Sequence, residues 1–217
     1  SGGAGAIVAA GGAAFDIGSD WGGSIRGPAH NNGITGIKPT SGRVPRTGHI
    51  VDYGGPYDSW QQLGPMARRV EDLILLLPLI AGPDFRDAAI VPVPWRSPDT
   101  VALAKLRVAF YTSNSIAETT QETKETVRKA AGILEKAGGA VKEEVPKDLI
   151  MRMDEVREEF MRADGWRFVN RLAEREKSTT ISPMFAEWMK TPPIPTPDFT
   201  ALWERQDELR SKLLQWV

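Results

Sequence analysis

The first sixty or so residues are so dense in glycine and small side chains that no long helical period survives past Ala14. Glycine inside a helix costs roughly 0.5–1 kcal/mol relative to alanine, so this stretch reads as a short helix followed by loops and short strands. SGGAGAIVAAGG predicts a glycine-opened helix through Ala6–Ala10, buried because its side chains are small enough for neighbours to come close. Backbone conformation, more than side-chain bulk, shapes this region.

Later segments carry clearer periods. WQQLGPMARRVEDLILLLPLIAGPD predicts a helix from about Val70, with Glu71 and Asp72 in its first turn and Gly82-Pro83 as its stop. Pro78 predicts a kink or an early end. The apolar run Leu73 to Ala81 reads as a buried helix, because a bilayer span needs roughly twenty residues. Leu106 to Thr112 reads as a strand, and ETKETVRKAAGILEKAGG as a helix with Val127, Ala131 and Leu134 on one face and Gly138 as its stop. Ala140 to Val145 alternates as a second strand, so Leu106 to Val145 forms one strand–helix–strand unit with a parallel crossover. Leu149 to about Lys177 and Phe199 to Val217 are helical and amphipathic, with TPPIPTPD between them as a stiff linker.

Composition narrows the function. Basic and acidic residues are well mixed, 27 against 28 for a net charge of -1, which argues against direct nucleic-acid binding and favours small neutral ligands. The absence of cysteine removes disulfides, thiolate catalysis and cysteine-ligated metals, and suits a cytoplasmic enzyme. The chain opens on Ser1 rather than methionine, so an N-terminal targeting signal is not legible from it.

Three stretches invite chemistry. The glycine-rich opening lacks the Gly-Lys-Ser/Thr ending of a phosphate loop, and no strand precedes it. His30 and His49 are the only imidazoles and show no metal-ligand spacing; loop histidines are the plainer reading. GSDWGGSIRGP, residues 18 to 28, is different because its parts are mutually useful. Acyl transfer needs a nucleophile, a base and N–H donors aimed at a developing oxyanion. Gly22 and Gly23 leave the backbone free to turn its N–H groups inward, and Ser24 supplies a hydroxyl. Asp20 and Arg26 either clamp the loop as a charge-assisted pair or form an ordinary surface ion pair. On residues alone, a plain Gly-Gly turn and a nucleophile loop both remain open.

The string GGAAFDIGSDWGGSIRGPAHNNGITGIKPTSGRVPRTG, followed by GPMARRVEDL and AGPD, resembles the core of the amidase signature family. The resemblance runs through about residue 84. The unit from LRVAFYT to AAGILEKAGGAVKEEVP resembles the family's next section, and the last seventy or so residues match in being helical. The fold implied is α/β: a mixed, mostly parallel sheet covered by helices on both faces. Residues 1–84 would form the signature core with the nucleophile loop, 105–146 the strand–helix–strand unit and 149–217 a variable helical region, together the central portion of one domain whose N- and C-terminal parts are missing.

The resemblance implies hydrolysis of a carboxylic amide by a Ser–cis-Ser–Lys triad, without cofactor or metal. Ser24 is similar to the acylated nucleophile, and the N–H groups of Trp21, Gly22, Gly23 and Ser24 to the oxyanion hole. Asp20 and Arg26 support the loop. Ser1 corresponds to the second serine of the family's Gly-Ser-Ser-Gly-Gly, which places the bridging cis-serine just before residue 1 and the catalytic lysine farther upstream. Lys38 matches the Lys-Pro-Thr lysine, a support of the core rather than the base. The expected substrate is a small-molecule amide, with a mild preference for an apolar or aromatic acyl group from Tyr53, Tyr57 and Trp60, for which packing is an equally good reading. Trp166, Trp188, Trp203 and Trp216 suggest core contact or contact between protomers, a homodimer included. Two rival readings are an amidase subunit of a tRNA-dependent amidotransferase, and a non-catalytic fragment that binds ligands without turning them over.

Overall fold

In a computed structural model, residues 1–51 and 55–217 are described; Tyr53 of the aromatic group lies outside them. The chain divides into two compact units, Ser1–Pro98 and Asp99–Val217.

The first unit opens with α1 (Gly2–Ala9), then β1 (Phe15–Asp20), α2 (Arg26–Asn32), β2 (Thr35–Gly36), a 3₁₀ turn at Gly55–Ser59, β3 (Gln62–Ala67) and α3 (Val70–Ile80). Its sheet has the order β1-β3-β2, antiparallel throughout. The central strand contains Pro65, and this explains why β2 is only two residues long. In an antiparallel strand a residue's N–H and C=O face the same neighbour. The Pro65 carbonyl accepts the Ile37 N–H at 3.2 Å, but proline has no N–H to return, and the ladder stops there. Gly64 is required at the same place, since an added Cβ would lie 2.1 Å from the Ile37 carbonyl oxygen.

Val8, Ile25, Ala29, Met66 and Ala67 form the core between the sheet and the first two helices. In α1 only Gly5 and Val8 are buried, so the expected burial of the opening helix holds for one face alone. At Gly5 an added Cβ would stand 3.0 Å from the Pro28 side chain, the close approach that small residues permit. The α3 helix runs through Pro78 and ends at Ile80. The sequence predicts burial of its apolar run; in this unit only Leu73 is buried, while Leu75 and Leu79 are 67% and 74% exposed. Apolar composition reports that a face can be covered, not that this unit covers it.

A buried ion pair ties the loop after β2 to the segment after α3. Asp87 accepts the Arg46 backbone N–H and two guanidinium bonds, each at 3.0 Å, and Asp58 lies 2.5 Å from Nη1. The Arg46 hydrogen bonds outweigh burial and hold the Asp87 carboxyl down to about 2.

The second unit begins with the expected strand–helix–strand: β4 (Arg107–Phe110) and β5 (Ala140–Glu143) pair in parallel, joined by α4 (Gln121–Lys136). Thr120 caps α4 by accepting the Thr123 N–H at 3.3 Å, and Gly138 at φ +94° ends it. Next come α5 (Lys147–Arg162), α6 (Arg167–Arg175), α7 (Pro183–Trp188) and α8 (Thr196–Trp216). Val156 and Phe160 of α5 and Leu202 and Leu209 of α8 are buried where the two helices pack, and Phe160 meets Trp203 edge-on at 5.0 Å. The proline-rich linker is pinned down: Ile194 N–H donates to the Ala163 carbonyl, and the Thr191 carbonyl crosses so close to Gly165 that a Cβ would meet it at 2.5 Å. Trp166 is buried and stacks on Trp188 at 4.5 Å, which gives both a packing role.

Candidate active site

Asp20 ends β1, and the chain then turns through Trp21–Ile25 into α2. Ile25 and Ala29, buried at 0% and 5% exposure, anchor the start of that helix in the core. Gly23 makes the turn at φ +112°, a conformation that L side chains rarely adopt. Gly22 and Ser24 are exposed.

The turn is organised around one carboxylate. Asp20 is fully buried and accepts the backbone N–H groups of Gly23 at 2.7 Å and of Ile25 and Arg26 at 3.2 Å. The Arg26 guanidinium adds a two-pronged contact, Nε to Oδ2 at 2.9 Å and Nη2 to Oδ1 at 3.0 Å. This is the clamp, and the reading as an ordinary surface pair falls away, because only the arginine side is exposed. Burial alone would push the Asp20 carboxyl up; the Arg26 contact and the three N–H groups outweigh it and hold the acid well below the usual carboxylate range.

Lys38 joins the same group. Its Nζ donates to the Trp21 carbonyl at 3.2 Å and lies 3.7 Å from Asp20 Oδ1. Burial pulls this ammonium below its ordinary value, and the nearby carboxylate opposes the shift. The lysine expected to support the core is thus attached to the turn that follows β1, a contact across seventeen positions of sequence that no local pattern announces.

The four amides of the expected oxyanion hole are not equivalent. The Gly23 N–H is spent on Asp20, whereas those of Gly22 and Ser24 have no hydrogen-bond partner among the described residues. The Trp21 indole packs edge-on against buried Tyr57, with ring centroids 5.1 Å apart, which fixes one flank of the turn. Ser1 lies against β1: a Cβ on Gly18 would meet the Ser1 hydroxyl and the Met66 methyl at 3.0 Å and Ile25 at 3.2 Å. His49 accepts the Val51 N–H through Nδ1 within its own loop, and His30 is exposed on α2.

An exposed serine beside unspent backbone amides is an arrangement that acyl transfer can use, and similarity to known proteins places the chain in a family. The family model described as Amidase matches residues 1–214, and the chain belongs to that family. Among curated relatives, the A subunit of glutamyl-tRNA(Gln) amidotransferase from Archaeoglobus fulgidus is 38% identical over 174 residues, covering 77% of this chain and 36% of the relative. Its counterpart from Saccharolobus solfataricus is 54% identical over 91 residues, 42% of this chain and 18% of the relative. The chain therefore spans about a third or less of the length of these relatives. Among solved structures, 6-aminohexanoate cyclic dimer hydrolase superposes with a TM-score of 0.80 at 24% identity, over 99% of this chain and 47% of that one. A bacterial aryl acylamidase of the amidase signature family superposes with a TM-score of 0.63 at 26% identity, over 95% and 40%.

Proposed function

We propose that the full-length protein hydrolyses a carboxylic amide through an acyl-enzyme on Ser24. The observation that carries this reading is an exposed Ser24 on a loop locked by a buried carboxylate, beside the unspent amides of Gly22 and Ser24. In the proposed reaction Ser24 Oγ attacks the amide carbonyl and gives up its proton to a base. The oxyanion is received by the loop amides, the amine or ammonia leaves with a proton returned by the base, and water then releases the carboxylate. The base is the lysine–cis-serine relay implied by the family. Lys38 is unsuited to that role, since its ammonium is engaged by the Trp21 carbonyl and Asp20. Turnover of a panel of primary and N-substituted amides by the full-length protein tests the proposal: Ser24→Ala should abolish it, and turnover retained in that variant would sink the assignment.

A second reading is favoured by one finding, that curated relatives are named as the A subunit of glutamyl-tRNA(Gln) amidotransferase. Here the same site would release ammonia for a partner protein. Copurification with partner subunits, together with glutamine-dependent conversion of Glu-tRNA(Gln), supports this role; efficient hydrolysis of simple amides by the protein alone supports the first.

A further inference from the structure

We infer that Lys38 is a positioning residue for the proposed oxyanion site: by holding the Trp21 carbonyl, it fixes the direction of the Gly22 N–H. The inference rests on the reading of Ser24 as nucleophile. The Trp21–Gly22 peptide is trans, so its C=O and N–H point in opposite directions. Nζ of Lys38 holds that carbonyl at 3.2 Å on the side where it also approaches Asp20. The Gly22 N–H of the same plane consequently faces away from Lys38 and Asp20.

The adjoining peptide is fixed by its other end. There the Gly23 N–H donates to Asp20 at 2.7 Å, so two successive planes are anchored, one through its oxygen and one through its nitrogen. Anchoring is needed because Gly22 and Gly23 carry no Cβ to oppose rotation of the planes between them, and a Cβ built on either meets nothing within 4 Å. Lys38 is well placed for this, because its side chain is only 21% exposed and its two neighbours, Ile37 and Pro39, run against Gly64 of the central strand. An anchor rooted in the sheet moves less than one on the loop itself.

The test uses an alkyl fluorophosphonate on the full-length protein, with Ser24 phosphonylation followed by mass spectrometry to give kinact and KI. Lys38→Met, which keeps the stem and loses the donor, should lower kinact on the order of 100-fold, the loss typical of one oxyanion donor, with KI within about twofold of wild type. Lys38→Arg, which restores a donor, should regain at least tenfold of that loss. Should Lys38→Met fail to fold, Lys38→Leu, which also lacks a donor, serves in its place, with kinact expected at least tenfold below wild type at unchanged KI. Wild-type kinact in the folded variant, or a loss carried by KI, overturns the role of Lys38 while leaving Ser24 as nucleophile. No adduct at Ser24 in the wild type removes both.

Discussion

Replacing Asp20 with asparagine keeps the shape of the side chain but exchanges one of its two acceptor oxygens for an NH₂ donor, whichever way the amide is turned. If Oδ1 is lost, the Gly23 N–H and Arg26 Nη2 face a donor; if Oδ2 is lost, the Ile25 and Arg26 N–H groups and Arg26 Nε do. The first orientation is the cheaper. It leaves one part-buried amide and one guanidinium nitrogen without an acceptor, and the guanidinium is 57% exposed and can turn to water. With about 1–3 kcal/mol for a buried unsatisfied group and a discounted charge term for the exposed arginine, Asp20→Asn should cost about 3 kcal/mol at pH 7. For a chain of this length that is a fall of roughly 6–12 °C in melting temperature.

The pH dependence follows from the direction of the shift. The folded carboxyl titrates well below its unfolded value of about 3.9, so its contribution is complete above that pH and is lost as pH falls toward the folded value, by about 1.4 kcal/mol per unit. The gap between wild type and Asp20→Asn should therefore be constant from pH 7 to 5 and narrow below pH 4, measured by urea unfolding. A gap that is absent at pH 7, or unchanged at pH 3, would mean that the Asp20 carboxylate does not hold the turn.

Asp87→Asn leaves the buried Arg46 without its main partner and should cost about 3–5 kcal/mol at pH 7, with the wild-type advantage shrinking between pH 4 and 2; urea unfolding across that range checks it. Gly64→Ala forces a methyl onto the Ile37 carbonyl and should separate β2 from β3, read as lost protection of the Ile37 amide in hydrogen exchange. Gly23→Ala meets no atom within 4 Å, so its cost is conformational alone, about 1–3 kcal/mol at φ +112°. It should slow Ser24 phosphonylation more than it lowers the melting temperature, because the loop can relax without disturbing the core.

Legibility in the sequence followed the locality of the cause. The β4–α4–β5 unit was readable because its helical period, alternating strand and Gly138 stop all lie within forty or so residues. GSDWGGSIRGP announced a choice between a turn and a nucleophile loop, and burial of Asp20 decides that the pair with Arg26 is a clamp. The β3 strand is not legible as one, since QLGPMA does not alternate; almost all of it is buried, and its proline is tolerated where β2 ends. The α2 helix hid behind Gly27 and Pro28, which lie in its first turn where a missing N–H costs nothing. Arg46 with Asp87 and Lys38 with Trp21 join positions far apart in sequence, and neither residue type nor spacing marks such pairs.

Intact mass and peptide mapping of the full-length protein after fluorophosphonate treatment show whether Ser24 is the acylated nucleophile. The expected result is a single adduct, on Ser24, and none in Ser24→Ala. An adduct on another residue in the wild type, or undiminished labelling of the variant, contradicts it.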